Sequence, residues 1–297
     1  MVGKLSNASP VIIIGMHRSG TTVLSKYLDE IGMFMGKKDD RDINNESRFF
    51  IRINNWLLRH YHSEWDNVNT YINRIEGLKI DSYIKNDVKN YLLSVNSIKY
   101  WGYSFMNPTR FEGLWGWKDP RTTVALDLWL EIFPNLKIIF MVRNPIDVAI
   151  SLKKREEDFL RQKNKLGIRN RIKKYFLKGN NIYQMSPACL DLEYGVSLWE
   201  EYNRAFLMYS KKVPKDRIFT LKYEDFLLEP AESLKNINQF LEIEAKDDII
   251  SNYVSDLDSS RAFAFKDDDN LKNFYLGLKD KSSFKYWGYS DIFKQIK

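Results

Sequence analysis

The chain has 297 residues, of which 44% are hydrophobic and 29% charged, and its formal net charge is +7. This length and composition exclude a disordered or collagen-like chain and allow a large buried core. The lone cysteine, Cys189, excludes an intrachain disulfide and a four-cysteine metal site, while the positive charge favours an anionic partner.

The first residues show no feature of a secretory or membrane-spanning segment. The longest early apolar run, 11–14, is far shorter than the ~20 residues that a spanning helix needs. The preceding segment has one lysine and no long apolar region, so we expect no signal peptide. Together with the scarcity of cysteine, this favours a cytoplasmic location.

Short β-branched runs alternate with amphipathic segments along the chain, which predicts an α/β fold with a parallel sheet. Strands are predicted at 11–14, 136–142 and 217–222, and helices at 22–31, 120–132, 144–155, 190–211 and 230–243. The expected organisation is a single domain over 1–297. It carries helical insertions at about 37–115 and 160–190 and a lid-like tail at 259–297.

A glycine-containing loop separates the first predicted strand from the first helix. Its spacing, Gly15-x4-Gly20-Thr21-Thr22, is similar to that of a nucleotide-binding P-loop, whose backbone N–H groups converge on a phosphate. Thr21 stands where a P-loop has lysine, and the positive charge is earlier, at Arg18. The spacing therefore predicts a phosphate-binding loop that is not built for ATP hydrolysis. The alternative is a turn that only connects strand and helix.

A second anion site is predicted where the 136–142 strand ends. Arg143 follows that strand, Ser151 lies eight residues later, and Arg155 is one helical turn beyond Ser151. Two guanidinium groups and a hydroxyl can hold a phosphate, and ligands of open α/β sheets bind at the carboxyl ends of strands. The alternative is that Arg143 closes the sheet while Ser151 and Arg155 face water.

Taken together, these motifs resemble the sulfotransferases that use 3′-phosphoadenosine 5′-phosphosulfate (PAPS). The segment 18–22 is similar to the family's loop for the 5′-phosphosulfate, and 143–151 to its 3′-phosphate segment. The Trp-Lys-Asp-Pro-Arg run at 117–121 looks like that of bacterial carbohydrate and protein-tyrosine members. The Tyr-Glu-Asp run at 223–225 also resembles the family. The resemblance covers 11–50, 115–155 and 217–243.

The resemblance implies a three-layer α/β sandwich related to nucleotide kinases, with a P-loop-like loop that binds the donor. It implies PAPS as donor, 3′,5′-ADP as product, and no required metal, because fixed cations can neutralise the leaving phosphate. Tyr223 is expected either to contact the nucleotide or to pack under the sheet. Arg261 is a candidate for covering the nucleotide. The residues expected to bind the donor are Arg18, Ser19, Gly20, Thr21, Thr22, Arg143, Ser151, Arg155 and Tyr223.

Sulfuryl transfer needs a base for the acceptor, cations for the leaving phosphate, and correct positioning. Glu46 is the expected base, because 46–50 resembles the Glu-x-x-Phe-Phe segment of glycan sulfotransferases, and aromatic neighbours would raise its pKa. The alternatives are Asp42 as base and Glu46 as an exposed carboxylate. Arg18 and Lys118 are expected to contact the leaving group. Lys118 stands at an expected strand end and matches a lysine of tyrosylprotein sulfotransferases, with a surface lysine as the alternative.

The expected function is sulfuryl transfer to a hydroxyl acceptor, either a saccharide or a glycolipid. The basic stretch 161–178 is either a solvated insertion or a patch for a glycan, nucleotide or membrane surface. No nucleic-acid motif accompanies it, so we expect no nucleic-acid partner. The alternative functions are an ATP-dependent small-molecule kinase, which the missing P-loop lysine disfavours, and a non-catalytic nucleotide-binding module.

Overall fold

The computed structural model describes residues 9–75, 80–102, 113–165 and 185–295. The chain divides into two compact units. The first comprises Met1–Val142 and Glu201–Ala262, and the second comprises Arg143–Glu200 and Phe263–Lys297. The predicted phosphate loop lies in the first unit, and Arg143 begins the second.

Four parallel strands form the sheet of the first unit. They are β1 (Val11–Gly15), β2 (Gly116–Lys118), β3 (Lys137–Val142) and β4 (Ile218–Lys222), in the spatial order β2-β1-β3-β4. In the registers of β1 with its neighbours, Ile13 pairs with both Lys118 and Ile139. Because all strands run the same way, their carboxyl ends share one edge. The predicted parallel sheet is confirmed.

The helices occupy the segments between and after the strands. In chain order they are α1 (Thr21–Glu30), α2 (Arg48–His60), α3 (Asn69–Ile75), α4 (Ser82–Leu92), α5 (Ile98–Trp101), α6 (Leu126–Ile132), α7 (Pro145–Lys165), α8 (Leu192–Ser210), α9 (Tyr223–Leu228), α10 (Pro230–Leu241), α11 (Asp247–Ser255), α12 (Asp269–Leu278), α13 (Ser282–Trp287) and α14 (Ile292–Gln295). Among these helices, none combines the length and hydropathy that a bilayer span requires.

Apolar side chains cover both faces of the sheet in the first unit. On one face, Ile13 and Ile139 belong to a buried cluster with residues of α1, α9 and α10. On the other, Phe140 of β3 stacks on Phe206 of α8 with ring centroids 3.6 Å apart. Such alternation is expected of a strand buried on both sides, whose neighbouring side chains point to opposite faces. The predicted layering of helices around a central sheet is confirmed.

Two local elements differ from the prediction. β2 was not among the assigned strands, because three residues are too few to show a strand pattern, although a strand end was expected at Lys118. A Cβ on its first residue, Gly116, would lie 1.7 Å from the carbonyl oxygen of Val11, so only glycine fits there. The predicted helix 120–132 begins as a 3-10 turn, Pro120–Thr123, and becomes α-helical only at Leu126.

The second unit is built from helices. The predicted helix 144–155 continues to Lys165 as α7, and α8 packs closely on it through Gly195, where a Cβ would lie 2.9 Å from the Cβ of Ala149. The C-terminal helices α12–α14 complete this unit. The lid-like role of the tail stays a prediction.

One half-buried aspartate in the first unit should make stability depend on pH. Asp127 of α6 accepts a hydrogen bond from the Tyr71 hydroxyl at 3.1 Å, while its Oδ2 is buried without a partner among the described residues. Burial raises the pKa of Asp127 from 3.8 to about 7. A raised pKa adds stability that is present near pH 4 and lost as the pH rises towards 7.

We therefore expect Asp127→Asn to flatten the pH dependence of unfolding. Relative to wild type, the variant should gain stability between pH 4 and 8, because the charged form is no longer buried. Urea unfolding at several pH values measures this difference, with the exposed Asp216→Asn as the control. An equal difference at pH 4 and pH 8 would contradict the prediction.

Candidate functional site

The loop between β1 and α1 has an unusual backbone. Arg18 and Gly20 have positive φ angles of 71° and 88°, and Gly20 caps α1. A Cβ on Gly20 would lie 2.1 Å from the ring of Tyr223, the first residue of α9. Glycine is thus required both by the conformation and by the neighbouring ring. Tyr223 is buried against the loop.

The loop contains a buried hydroxyl with an unmet hydrogen bond. Ser19 is fully buried, and its Oγ has no hydrogen-bond partner among the described residues. Leaving a buried hydroxyl unsatisfied costs about 1–3 kcal/mol. A phosphate oxygen would satisfy it, and the N-terminus of α1 favours an anion at the same place. Exposed Arg18 adds a cation, whereas Thr21, at the P-loop lysine position, is buried.

Hydrogen bonds fix the start of the loop to the segment after β2. The Gly15 N–H donates to Thr123 Oγ1 at 2.9 Å, and that hydroxyl donates back to the Gly15 carbonyl at 3.1 Å. Lys118 is the last residue of β2 and directly precedes this segment. The sheet therefore places the phosphate loop and Lys118 on adjacent parallel strands.

Four buried charged groups form a cluster beside β2. Lys118 Nζ donates to Glu46 Oε1 at 2.8 Å, and Arg121 Nη1 lies 3.3 Å from Glu46 Oε2. Arg121 Nη1 also contacts Asp119 Oδ1 at 2.8 Å. Two cations thus neutralise two carboxylates, which burial requires. The structure brings the predicted base and Lys118 together, and the surface alternatives for both residues are wrong.

A neutral amide anchors this charge cluster in the core. Asn54 of α2 donates to Asp119 Oδ2 at 2.7 Å and accepts from the Trp129 indole N–H at 2.8 Å. Phe50, one turn earlier on α2, stacks on Trp117 with centroids 3.9 Å apart. Asn54 and Arg121 were not among the predicted site residues. The only signal for Arg121 was its place in the 117–121 motif, and Asn54 had none.

The environment of Glu46 changes the expected acidity of its carboxyl. Burial alone would raise the pKa of Glu46, but Lys118 and Arg121 outweigh it, and the pKa lies below the ordinary range of glutamate. The expectation of a raised pKa was wrong, because the sequence did not show that two cations meet this carboxylate. Burial does raise the pKa of Asp119, although Arg121 opposes it.

Asp42, the alternative base, has a local structural role. Its Oδ1 accepts from the backbone N–H of Asn44 at 2.9 Å and from that of Glu46 at 2.8 Å. These bonds shape the turn that precedes α2. Ser47 then caps α2 by accepting from the Phe50 N–H. Asp42 therefore positions the backbone of Glu46 in this structure.

The second predicted anion site lies in the second unit. Arg143 Nη2 is 3.3 Å from Asp147 Oδ2, and Arg155 Nη2 is 2.7 Å from Glu156 Oε1. Ser151 is partly buried on α7, one turn before Arg155. Both guanidinium groups are thus held by carboxylates. The predicted donor residues are split, with Arg143, Ser151 and Arg155 in the second unit and the others in the first.

Asp147 also connects the Arg143 segment to the C-terminal part of the second unit. Its Oδ1 accepts from the Phe265 N–H at 2.9 Å, and its Oδ2 from the Ala264 N–H at 3.2 Å. Phe263 just before has a positive φ of 56°. The carboxylate that neutralises Arg143 therefore also fixes the backbone of the tail.

His17, in the loop, contacts two aromatic rings, and Arg261, the candidate for covering the nucleotide, contacts a carboxylate. His17 packs edge-on against the rings of Trp65 and Tyr202, at 5.0 and 5.8 Å. Arg261 is exposed and lies 3.3 Å from Asp258. Within 9–75, 80–102, 113–165 and 185–295, no three His, Cys, Asp or Glu side chains group as metal ligands. The basic stretch 161–178 begins in the last turn of α7, and its residues 166–178 lie outside the described part of the chain.

Comparison with known proteins identifies the family. The family model described as "Sulfotransferase family" matches residues 10–248, which is most of the chain. The chain belongs to the sulfotransferase family. The match includes the phosphate loop, the Glu46 cluster and the Arg143 segment. Enzymes of this family transfer a sulfuryl group from PAPS and release 3′,5′-ADP, so the predicted enzyme class is confirmed.

Solved sulfotransferase structures are distantly similar to this sulfotransferase. A domain of the Synechococcus PCC 7002 olefin synthase is 19% identical, with a TM-score of 0.49 and 88% of each chain covered. A sulfotransferase domain from the curacin biosynthetic pathway is 14% identical, with a TM-score of 0.49. The match covers 93% of this chain and 99% of that domain. The sulfotransferase STF9 from Mycobacterium avium is 16% identical, with a TM-score of 0.45. The match covers 85% of this chain and 68% of STF9. A search of curated proteins found no match. Membership rests on the family model.

The unmet Ser19 hydroxyl predicts opposite effects of one substitution on stability and on binding. We expect Ser19→Ala to stabilise the nucleotide-free sulfotransferase by about 1 kcal/mol, because it removes a buried unsatisfied group. The same change should weaken 3′,5′-ADP binding about 5- to 10-fold, a loss of about 1 kcal/mol. Thermal unfolding and calorimetry measure the two effects. Ser210→Ala, which removes a satisfied hydroxyl, is the control. A loss of stability in Ser19→Ala would sink the idea.

Removing one cation from the charge cluster should lower the free energy of unfolding by a large amount. We expect Arg121→Met to destabilise the protein by about 3–5 kcal/mol, because it leaves Asp119 buried without its cation. Adding Asp119→Asn should recover part of that loss, since the uncompensated charge is then gone. Urea unfolding of the single and double variants measures both values. Additive losses in the double variant would show that Arg121 and Asp119 are not coupled.

Proposed function

We propose that this sulfotransferase transfers the sulfuryl group of PAPS to a hydroxyl of a saccharide or glycolipid in the cytoplasm. The observation that carries the proposal is the 2.8 Å contact between Glu46 and Lys118. It supports a site in which a base for the acceptor and a cation for the leaving phosphate are side by side. Both are buried, so water competes little with either group.

In the proposed mechanism, Glu46 takes the proton of the acceptor hydroxyl. Its lowered pKa keeps it ionised at neutral pH, as a base must be, but also lowers its affinity for a proton. This conflict is removed if Lys118 leaves Glu46 and binds the leaving phosphate instead. Glu46 then keeps Arg121 alone, its pKa rises, and the proton is accepted more readily.

PAPS, when bound, supplies the sulfuryl group, and its S–O bond to phosphate breaks as the bond from sulfur to the acceptor oxygen forms. Arg18 and Lys118 are proposed to neutralise the charge that develops on the leaving phosphate. Donor binding is assigned to the loop residues Ser19, Gly20, Thr21 and Thr22 with Tyr223, and to Arg143, Ser151 and Arg155. The unmet Ser19 hydroxyl supports the first of these sets.

Aromatic residues support a saccharide or glycolipid acceptor. The Glu-x-x-Phe-Phe segment is similar to that of glycan sulfotransferases, and its two phenylalanines are buried beside the base. Aromatic residues form 14% of the chain and can stack on sugar rings. The cytoplasmic location rests on the single cysteine. Contact of 161–178 with a membrane surface is a further prediction.

Calorimetric titration tests the donor class first. We expect tight binding of 3′,5′-ADP without any metal ion, and weak binding of ATP in the presence of magnesium, because the loop lacks the P-loop lysine. Arg143→Ala should weaken the binding of 3′,5′-ADP by removing charge-assisted hydrogen bonds. A preference for ATP with magnesium would replace this proposal by the kinase alternative.

The base is tested by Glu46→Gln, which keeps the shape of the side chain and a hydrogen bond to Lys118. We expect transfer to fall about 10²- to 10⁴-fold while 3′,5′-ADP still binds. Single-turnover transfer from labelled PAPS measures the first effect and calorimetry the second. Asp42→Asn is the matched variant for the alternative base. If Glu46→Gln retains near wild-type transfer, Glu46 is not the base.

A further inference from the structure

Strand β1 extends two residues beyond its pairing with β2. The register of the pair ends with Ile13 opposite Lys118, so β2 does not pair with Ile14 and Gly15. Continuing the register would place Pro120 opposite Gly15, and proline has no N–H to donate. The end of β1, where the phosphate loop begins, therefore needs another hydrogen-bond partner on the β2 side.

The Thr123 hydroxyl is that partner. It accepts from the Gly15 N–H at 2.9 Å and donates to the Gly15 carbonyl at 3.1 Å. One side-chain oxygen thus satisfies both polar groups of a buried backbone residue, as a neighbouring strand would otherwise do. On the β3 side, Gly15 pairs with Met141. The residue at which the phosphate loop begins is therefore held from both sides.

The position of Gly15 determines that of the first turn of the loop. Met16 follows Gly15 directly, and its carbonyl accepts from the Ser19 N–H at 3.2 Å. Ser19 carries the buried hydroxyl whose Oγ has no hydrogen-bond partner among the described residues. Because only two residues separate Met16 from Ser19, a shift of Gly15 moves the Ser19 hydroxyl as well. Thr123 has a single hydroxyl proton, which it donates to Gly15, so it acts on the donor through this turn.

The neighbouring threonine contacts the charge cluster instead. Thr122 Oγ1 accepts from Asn54 Nδ2 at 2.9 Å and from the Trp117 indole N–H at 3.0 Å. The same Asn54 amide donates to Asp119 of the cluster at 2.7 Å. Both threonines are fully buried. Consecutive side chains thus join the Pro120–Thr123 turn to the charge cluster on one side and to the phosphate loop on the other.

We propose that Thr123 is a positioning residue that holds the phosphate loop in a fixed place relative to Lys118 and Glu46. This inference rests on the proposed function and adds a residue to it. In-line transfer requires the sulfur to lie between the leaving oxygen and the acceptor oxygen, so a small displacement of the donor is costly. The consecutive hydroxyls of Thr122 and Thr123 keep the donor loop and the proposed base in one arrangement.

A double-mutant cycle on the full chain tests this role, with calorimetric titration of 3′,5′-ADP as the measurement. We expect Thr123→Val to weaken binding about 10-fold, because Gly15 loses its partner and the loop shifts. Thr123→Ser keeps the hydroxyl and should bind within about 2-fold of wild type. Because the loop is already displaced, Ser19→Ala should cost less than about 2-fold in the Thr123→Val background, against about 5- to 10-fold in wild type.

Thr122→Val is the matched control, because it removes the adjacent buried hydroxyl on the side of the charge cluster. It should change the affinity for 3′,5′-ADP by less than about 2-fold and leave the effect of Ser19→Ala undiminished. Thermal unfolding establishes that each variant is folded at the temperature of the titration. If Thr123→Val does not fold, Thr123→Cys replaces it. A thiol has the shape of the serine side chain but hydrogen-bonds only weakly, so its comparison with Thr123→Ser isolates the hydroxyl.

Four results would overturn the inference. The first is an unchanged affinity in Thr123→Val, and the second is additive losses for Thr123→Val and Ser19→Ala. The third is an equal loss in Thr123→Ser, which would make the methyl group the cause. The fourth is an equal loss in Thr122→Val, which would assign the effect to the turn as a whole. These results leave the donor assignment standing, whereas a wild type that does not bind 3′,5′-ADP contradicts that assignment and this inference with it.

Discussion

The candidate site depends on the neutralisation of buried charge around Arg121. Its guanidinium contacts Glu46 and Asp119, and Lys118 supplies the second cation. Removing any one of the four charges leaves another uncompensated in a region of low dielectric. This constraint links the end of β2 to a distant part of the chain, namely the turn before α2 and, through Asn54, the middle of α2. The same charges that hold these segments together also set the acidity of the proposed base.

The second unit repeats this principle with different residues. Asp147 neutralises Arg143 and at the same time accepts two backbone N–H groups from the tail. Arg143, just before α7, and Arg155, on α7, are proposed phosphate ligands. Each guanidinium thus already has a carboxylate partner. An arriving phosphate would join or displace these partners rather than meet a bare cation. In the proposed mode of binding, these carboxylates hold both guanidinium groups in place before the nucleotide arrives.

Features that depend on local sequence were predictable, and those that depend on distant partners were not. The β-branched runs of β1 and β3 predicted the parallel sheet, and the glycine spacing predicted the turn between β1 and α1, whose role in phosphate binding stays a prediction. The extent of β2 was not predicted, because a three-residue strand shows no pattern of its own, and only its end at Lys118 was expected. The lowered pKa of Glu46 was missed because Lys118 and Arg121 are far along the chain. Asn54 had no signal at all, since an asparagine inside a helix predicts nothing about a carboxylate that it contacts by folding.

The contact of Tyr223 with Gly20 has a consequence for the order of events during synthesis. The loop emerges from the ribosome early, but the ring that packs against it is near the end of the first unit. Strand β3 also waits for a late partner, because β4, which pairs with it, is made about 80 residues afterwards. Such non-local contacts form late and slow the search for the native state. A nascent chain that ends before β4 therefore carries the phosphate loop in its sequence without the surface that shapes it.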